Sequence, residues 1–139
     1  MTLKYQIIDS HKVNSGKLYF LKDIVIAEFD EGVHIDFNTS QEHISHIIDF
    51  YGYERPFGYI CNRINDFSIS PQDYPKFNET LNNLGMYGIV NKNHLDSMNY
   101  NIEKQFCNKP FKGYYDLYTA YNQVSIFVKK IKKELTKAI

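Results

Sequence analysis

The sequence predicts an α/β fold with a mixed β-sheet, in which an N-terminal antiparallel meander is followed by alternating elements, α-β-α-β-α. Two observations predict it. Residues 17–37 are rich in β-branched and aromatic residues and are broken only at Lys22-Asp23 and Glu31-Gly32, joins that are too short for crossover connections. The rest of the chain alternates between apolar residues at helical spacing and short apolar runs, which is typical of helices that connect strands of one sheet.

The N-terminal meander is predicted as a series of short strands. We expect a first strand at 4–9, a turn at 11–16, and further strands at 17–21, 23–30 and 32–37. Because the joins between the last three are so short, each strand is expected to pair antiparallel with its neighbour.

Capping residues predict where the first two helices begin and end. Thr39 and Glu42 fit a capping box, in which a hydroxyl and a carboxylate satisfy free backbone amides, and Gly52 ends that helix. Ser70 followed by Pro71 has the form of an N-cap and a first helical position, so a second helix is expected there.

Two more helices are predicted further along the chain. The third begins near Asn93 and stops before Pro110, and Asp116 caps the final one. The apolar stripes expected to face the core are, helix by helix, Ile44, Ile47, Ile48 and Tyr51; Tyr74, Phe77, Leu81 and Leu84; Leu95, Met98, Ile102 and Phe106; and Leu117, Ala120, Tyr121, Val124, Phe127, Val128, Ile131 and Leu135.

Short apolar runs between these helices predict the remaining strands. "FGYICNRI" at 57–64 is apolar enough for a buried central position, and "MYGIV" at 86–90 and "FKGYY" at 111–115 follow it. Buried strands next to one another with helical connections are expected to run parallel.

Length and charge narrow the class of protein. The chain has 139 residues, so we expect one domain over residues 1–139. Basic and acidic residues number 16 each, which gives no net charge and argues against a domain built to bind nucleic acid. Aromatic residues make up 16% of the chain, which is typical of a core with amphipathic rings at its rim and also of a ligand-lined cavity.

The cysteines and the apolar runs indicate the cellular compartment of the protein. Cys61 and Cys107 form no CxxC pattern, which indicates a reducing compartment rather than a disulfide scaffold. No apolar stretch approaches the about 18 residues of a membrane span. We therefore expect a cytoplasmic protein with no membrane span, and the lack of a phosphate-loop or nucleotide motif predicts no cofactor.

Polar residues after the strand at 57–64 form the best candidate recognition surface. Ligands of α/β sheets gather outside the carboxyl ends of parallel strands, which is where these residues are expected. The residues are Asn62, Arg63, Asp66, Ser68 and Ser70.

Asn62 and Arg63 admit two interpretations. In one, Arg63 binds an anionic group that Asn62 orients. In the other, Arg63 pairs with Asp66 or Glu54 while Asn62 bonds the loop backbone. The sequence favours the structural interpretation but leaves both open.

Ser70, and after it Ser68, is the candidate phosphorylation site, because free amides at a helix N-terminus stabilise a phosphate. A hydrolase that uses Cys61 or Ser70 is a third and weaker function class. His43 and His46 are three residues apart on one helix, but no further ligand has suitable spacing, so no metal site is predicted.

The stretches "PFGYICNRINDFSISPQDYPKF", "MYGIVN", "EKQFCNKPF" and "YYDLYTAYNQV", after an N-terminal meander, resemble the small bacterial STAS/SpoIIAA-like domain proteins. The resemblance covers most of the chain, and residues 56–63 are its most specific piece. It implies a four- or five-stranded sheet with helices mainly on one face.

The resemblance also implies a function. Its wider relatives include anti-sigma factor antagonists, which bind proteins, so it implies a non-enzymatic regulatory module with a protein partner and a possible homodimer. Lipid-carrying CRAL-TRIO-type domains share related folds, so the alternative is a carrier or sensor of a small apolar or amphipathic, lipid-like ligand. The antagonists carry a phosphorylated serine in an Asp-Ser-Ser-Gly setting; that motif is absent here, Ser70 is the nearest equivalent, and Pro71 intrudes.

Overall fold

A computed structural model describes residues 7–91 and 98–138. The described strands are β1 (Asp9–Val13), β2 (Gly16–Phe20), β3 (Ile24–Phe29), β4 (His34–Ile35), β5 (Phe57–Asn62), β6 (Ser68–Ile69), β7 (Leu84–Val90) and β8 (Phe111–Tyr114). The described helices are α1 (Gln41–Tyr51), α2 (Tyr74–Thr80), α3 (Met98–Phe106) and α4 (Leu117–Lys137), with a 3-10 turn at Pro71–Asp73 before α2.

One mixed sheet of six strands carries the fold, in the order β1-β2-β3-β5-β7-β8. β1, β2 and β3 pair antiparallel, and β3, β5, β7 and β8 run parallel. The predicted α/β class, with an antiparallel start and a mixed sheet, is therefore confirmed. The sheet has six strands instead of four or five, and the strand predicted at 111–115 and the predicted final helix extend the alternation beyond α-β-α-β-α.

Both faces of this sheet are covered by helices. The crossovers from β3 to β5, β7 and β8 all step in one direction, so connections of the same hand place α1, α2 and α3 on the same face. The chain then leaves the edge strand β8, and α4 packs alone against the opposite face. The expectation of helices mainly on one face thus holds for three of the four and not for the longest.

β5 is the central strand that the apolar run predicts. All six of its residues are buried, and it lies between β3 and β7. Tyr59 and Cys61 pack with α1 and α2, whereas Ile60 packs with α4. A strand that is covered on both faces needs apolar side chains at consecutive positions, which explains its near-continuous apolar sequence.

Glycines let α4 approach the sheet closely. A Cβ atom on Gly58 would lie 2.3 Å from Cγ1 of Val124, and one on Gly85 would lie 2.6 Å from Cδ1 of Ile131. Such separations are far shorter than a van der Waals contact between carbons. The absence of side chains at these strand positions therefore sets how near α4 lies.

The predictions for the first strands were partly wrong. Residues 4–6 of the strand expected at 4–9 lie outside the described residues, and the observed β1 takes in residues 11–13, half of what was predicted as a turn. A two-residue connection joins β1 to β2, with Val13 opposite Gly16. The turn is shorter than the sequence indicates because a hairpin needs only those two residues.

The strand predicted at 32–37 does not join the meander. Gly32 adopts a φ of 78°, which turns the chain out of the sheet, and its amide donates to the backbone oxygen of Asp66. Only His34–Ile35 is extended, and it pairs parallel with β6 in a separate two-stranded sheet. The segment therefore supports the loop after β5 and not the edge of the main sheet.

The capping box predicted for α1 is wrong, although the helix itself is confirmed. The hydroxyl of Thr39 donates to Oδ1 of Asp36, and Ser40 is the N-cap residue, with no side-chain capping bond. Gly52 does end the helix as predicted, with a φ of 70° that glycine adopts readily and a ψ of −157°.

Of the other two predicted caps, the one at Asp116 is confirmed and the one at Ser70 is wrong. Asp116 caps α4, since its Oδ1 accepts from the amide of Thr119 at 2.7 Å. Ser70 makes no side-chain capping bond, and the 3-10 turn separates it from α2 at Tyr74. Pro71 sits at the start of that turn, where its missing N–H costs no helical hydrogen bond.

The predicted inner face of α3 is wrong in its last turn. Phe106 is 44% exposed, and Glu103 and Cys107 are buried in its place. The start expected near Asn93 lies outside the described residues. The Glu103 carboxylate faces the core because the side chain of Arg63 pairs with it.

Candidate recognition site

The first predicted residue, Asn62, is the last residue of β5 and is only 8% exposed. Its Nδ2 donates to Oε2 of Glu28 on β3, at 2.7 Å. The amide is therefore bonded to a neighbouring side chain instead of to the loop backbone. Asn62 ties the carboxyl ends of β3 and β5 together beneath the surface.

Arg63 forms a bidentate ion pair with Glu103 of α3. Its two terminal nitrogens donate to the two carboxylate oxygens, one at 2.9 Å, and Tyr74 donates its hydroxyl to the same carboxylate at 2.7 Å. The side chains of Arg63 and Glu103 are 12% and 5% exposed. The pairing with Asp66 or Glu54 considered from the sequence is not the one observed, because Glu103 supplies the carboxylate that burial of a guanidinium requires.

Asp66 lies at the tip of the loop after β5 and is exposed. Its backbone amide donates to Oε2 of Glu31, and its backbone oxygen accepts from Gly32. The backbone is fixed by these two bonds, while the carboxylate faces solvent.

Ser68 and Ser70 meet at a histidine that the sequence does not single out. His34 lies opposite Ser68 in the parallel β4–β6 pair, and residues two apart on a strand share a face. Nδ1 of His34 is 2.6 Å from the Ser68 hydroxyl, and Nε2 is 2.9 Å from the Ser70 hydroxyl. One imidazole thus bridges both serines.

We call His34, Asp66, Ser68 and Ser70 the serine–histidine surface. His34, Asp66 and Ser68 are exposed, and Ser70 is half-buried. A neutral imidazole has one donor and one acceptor nitrogen, so one serine hydroxyl donates to the ring and the other accepts from it. The surface offers a partner side chains that are already oriented, which lowers the entropy cost of binding.

The two helical histidines do not share a site. His43 is buried and lies 3.0 Å, Nε2 to hydroxyl, from Tyr59, whereas the ring of His46 stacks on His11 at 4.2 Å. Among residues 7–91 and 98–138, no group of three or more histidine, cysteine or acidic side chains is placed to hold a metal ion.

An internal cavity of about 40 Å³ lies between the sheet and helices α1 and α2. Aliphatic and aromatic side chains line most of it, with Phe29 and Tyr59 from the sheet and Ile44 and Phe77 from the helices among them. The polar groups and the thiol in its wall belong to three tyrosines, His43 and Cys61. The aromatic-rich composition thus reflects a core that also encloses a small space.

Burial sets the ionisation of the groups in that wall. Burial raises the pKa of Tyr59, Tyr74 and Tyr87 well above the ordinary value, so all three phenols are neutral. Burial, with a smaller contribution from His46, lowers the pKa of His43 to about 4. The wall is therefore uncharged at neutral pH.

Neither cysteine has the environment of a nucleophile. Both are buried, and burial raises the pKa of both thiols. Because the thiolate is the reactive form, a raised pKa lowers reactivity at neutral pH. The environment of Cys61 therefore argues against its use as the nucleophile of a hydrolase.

Glu103 and His34 are the residues of this region that sequence reasoning missed. Glu103 sits one position from the predicted apolar stripe of α3, and a lone carboxylate near such a stripe is the signal that could have found it. His34 and Ser68 are separated by 34 positions in the chain, so only the pairing of β4 with β6 reveals their contact.

No helix in the described ranges, 7–91 and 98–138, is long and apolar enough to cross a bilayer. Comparison with protein-family models, with curated proteins and with solved structures found no match to the chain.

Proposed function

We propose that this protein is a non-enzymatic regulatory module of the STAS-like type that binds a protein partner through the serine–histidine surface. The observation that carries the proposal is the bridge from His34 to Ser68 and Ser70 at the edge where β5 ends. It gives the loop a fixed set of polar groups in a place where α/β proteins commonly bind ligands.

The burial of the Arg63 and Asn62 side chains indicates that these two residues support the site and that other residues contact the partner. Glu103 and Glu28 accept hydrogen bonds from these two side chains, so they hold the carboxyl edge of the sheet in place beneath the loop. The groups open to a partner are then the imidazole, the hydroxyls and the Asp66 carboxylate. A partner with matching donors and acceptors fits this surface better than an anion that needs a free guanidinium.

Binding explains the surface better than catalysis. The imidazole of His34 contacts a hydroxyl on each nitrogen, whereas a nucleophilic serine normally needs a histidine that a carboxylate orients and stabilises. That Ser70 is a phosphorylation site stays a prediction. A phosphate there would replace the hydroxyl that now bonds His34 and would add negative charge to the surface.

The STAS-like assignment is supported by the order of elements, an antiparallel start followed by parallel strands with helical crossovers. The sixth strand and the placement of α4 on the opposite face depart from the expected pattern. A cytoplasmic location is part of the proposal and is supported by two cysteines that are free and buried. Self-association is also part of it, because the edge strands β1 and β8 each have one neighbour in the described sheet.

The test is affinity capture from a lysate of the source organism with wild-type protein and a Ser68→Ala/Ser70→Ala variant. We expect a partner that the wild type retains and the variant loses, because the variant removes both hydroxyls without disturbing the core. Lys130→Ala, an exposed change on α4, is the control and should retain the partner. Equal recovery with all three proteins, or no partner and no self-association, would contradict the proposal.

A second candidate function, a carrier or sensor of a small apolar or amphipathic ligand, is favoured by the internal cavity. A lipid-like chain would need far more room than about 40 Å³, so this candidate requires either a small ligand or a cavity that opens. Native mass spectrometry of the purified protein tests it directly, because a retained ligand adds a defined mass.

A further inference from the structure

The two edge strands of the six-stranded sheet, β1 and β8, differ in how their outward backbone groups are used. In an antiparallel hairpin, alternate residues turn their amides away from the neighbouring strand. The two-residue connection between Val13 and Gly16 sets this alternation in β1, so the amide of Ser10 points outward. That amide donates to Oδ1 of Asp9 at 2.8 Å. A side chain of β1 therefore already occupies a donor that an added strand would need.

In β8, the outward backbone groups have no such partner. The amide of Asn91 donates to the backbone oxygen of Tyr114 at 3.0 Å, so Tyr114 turns its backbone groups towards β7. Alternation along the strand then turns the amides and oxygens of Phe111 and Gly113 outward. Within residues 7–91 and 98–138, no hydrogen bond to these outward groups is present. The edge of β8 can therefore accept another strand.

The side chains beside this edge are of kinds that pair well across strands. Tyr115 directly follows β8 and is 62% exposed. Lys112 is exposed, and its Nζ lies 5.7 Å from the centre of the Tyr114 ring. Aromatic pairs, and a cation placed over an aromatic ring, stabilise neighbouring strands. Backbone groups and side chains at β8 thus favour the same kind of contact.

We propose that β8 is a homodimer interface, in which two copies of the chain pair their β8 strands antiparallel about a two-fold axis and form one continuous sheet. A second copy fits because each edge offers the other the same outward donors and acceptors. Since the outward amide of Ser10 in β1 is occupied, association through β8 alone stops at two chains. The inference rests on the self-association that is part of the proposed function, and it assigns that association to one edge.

Charge selects the register of this pairing. With the two-fold axis beside Lys112, the two lysine side chains would lie directly opposite one another, which is unfavourable. With the axis beside Gly113, Lys112 lies across from Tyr114 of the partner subunit. Tyr115 then lies across from Phe111 of the partner subunit, and the two Gly113 backbones bond each other at the axis. The contact is short, so we expect a dimer that dissociates on dilution.

Sedimentation velocity over about a hundredfold range of concentration measures this association. The wild type should pass from monomer to dimer as the concentration rises. Gly113→Pro should stay monomeric, because proline removes the outward amide at the axis and no hydrogen bond to β7. Ser10→Pro is the matched control on the other edge. It removes an outward amide that Asp9 already occupies, so it should dimerise as the wild type does.

Amide hydrogen exchange of the wild type tests the same edge without a substitution. Where about nine-tenths of the chains are dimeric, exchange at Gly113 should be about tenfold slower than in dilute protein. Exchange at Ser10 on β1 should be the same in both solutions. This comparison decides the matter even if Gly113→Pro does not fold.

The outcomes separate this inference from the proposed recognition role. A wild type that stays monomeric, or a dimer in which exchange at Gly113 is unchanged, overturns the inference. So does a folded Gly113→Pro that dimerises as readily as the wild type. Recognition through the serine–histidine surface is decided instead by partner capture with the Ser68→Ala/Ser70→Ala variant, so either proposal can fail while the other stands.

Discussion

At the scale of single residues, the chain places ionisable groups where their surroundings decide their state. Arg63 is charged and its side chain is largely buried, where the Glu103 carboxylate pairs with it and Tyr74 donates to that same carboxylate. His43 is buried as well, but its neighbour is a neutral phenol, so the imidazole gives up its charge instead. Of these two basic residues, Arg63 keeps its charge because a carboxylate pairs with it, whereas His43 is neutral.

His43 makes the stability of the protein depend on pH. Its pKa is about 4 in the folded chain against 6.5 in the unfolded chain, so above pH 6.5 it is neutral in both states. As the pH falls from 6.5 towards 4, the unfolded chain binds a proton that the folded chain does not. The free energy of unfolding should therefore fall by about 3 kcal/mol over that interval.

Urea unfolding at about pH 7 and about pH 4.5 measures this dependence. His43→Phe should lower stability at both pH values, because Tyr59 loses its partner, yet it should remove most of the pH-dependent fall. His46→Phe leaves the buried imidazole in place and should retain it. A wild-type protein whose stability is unchanged between the two pH values would contradict the buried, neutral imidazole.

At the scale of elements, α4 packs closely on the sheet because glycines leave no side chains at the strand positions beneath it. Gly58 and Gly88 face Val124, with Cβ separations that would be 2.3 and 3.1 Å from its methyl groups. The side chain of Val124 therefore packs against glycines of both β5 and β7. Changes to either partner should affect the docking of α4 in a graded way.

Gly58→Ala should destabilise the protein by about 1 to 3 kcal/mol, the usual cost of an extra methyl in a packed core. Gly88→Ala should cost less, because its contact is longer. Val124→Ala makes room for the new methyl, so the double variant Gly58→Ala/Val124→Ala should be more stable than the sum of the single effects predicts. Strict additivity in thermal unfolding would show that Val124 does not lie over Gly58.

Local patterns predicted the parallel half of the sheet well. The apolar run at 57–64, the strand at 86–90 and the cap at Asp116 all appear where capping and burial rules place them. Those features depend on neighbours in sequence. Residues 32–37 carry the same strand-forming side chains, but Gly32 and a partner strand more than thirty positions away decide where they pair.

The candidate site was predictable in location and not in its connections. The loop after β5 follows from strand order, so Asp66, Ser68 and Ser70 were found on its surface. The partners of Asn62 and Arg63 come from β3 and α3, and no local rule links positions so far apart. Glu103 was overlooked because a carboxylate on the inner face of a helix contradicts the apolar pattern unless its partner is known.

At the scale of the whole molecule, the two faces of the sheet differ in character. The α4 face is packed with aliphatic side chains, whereas the α1–α3 face holds the cavity, the Arg63–Glu103 pair and the loop that carries the serine–histidine surface. A chain with no net charge suits recognition of a specific partner better than attraction to a polyanion. The opposite face, with the exposed lysines of α4, serves as the natural control surface.

Site-specific photo-crosslinking tests the proposed recognition role most directly. A photoreactive residue in place of Asp66, which is exposed beside Ser68 and Ser70, is compared with one in place of Lys130 on the far side of the sheet. In cells of the source organism we expect a discrete crosslinked protein from position 66 and none from position 130, with the position-66 product lost when Ser68→Ala and Ser70→Ala are added. Crosslinks that form equally at both positions, or that persist without the two hydroxyls, would contradict recognition through the serine–histidine surface.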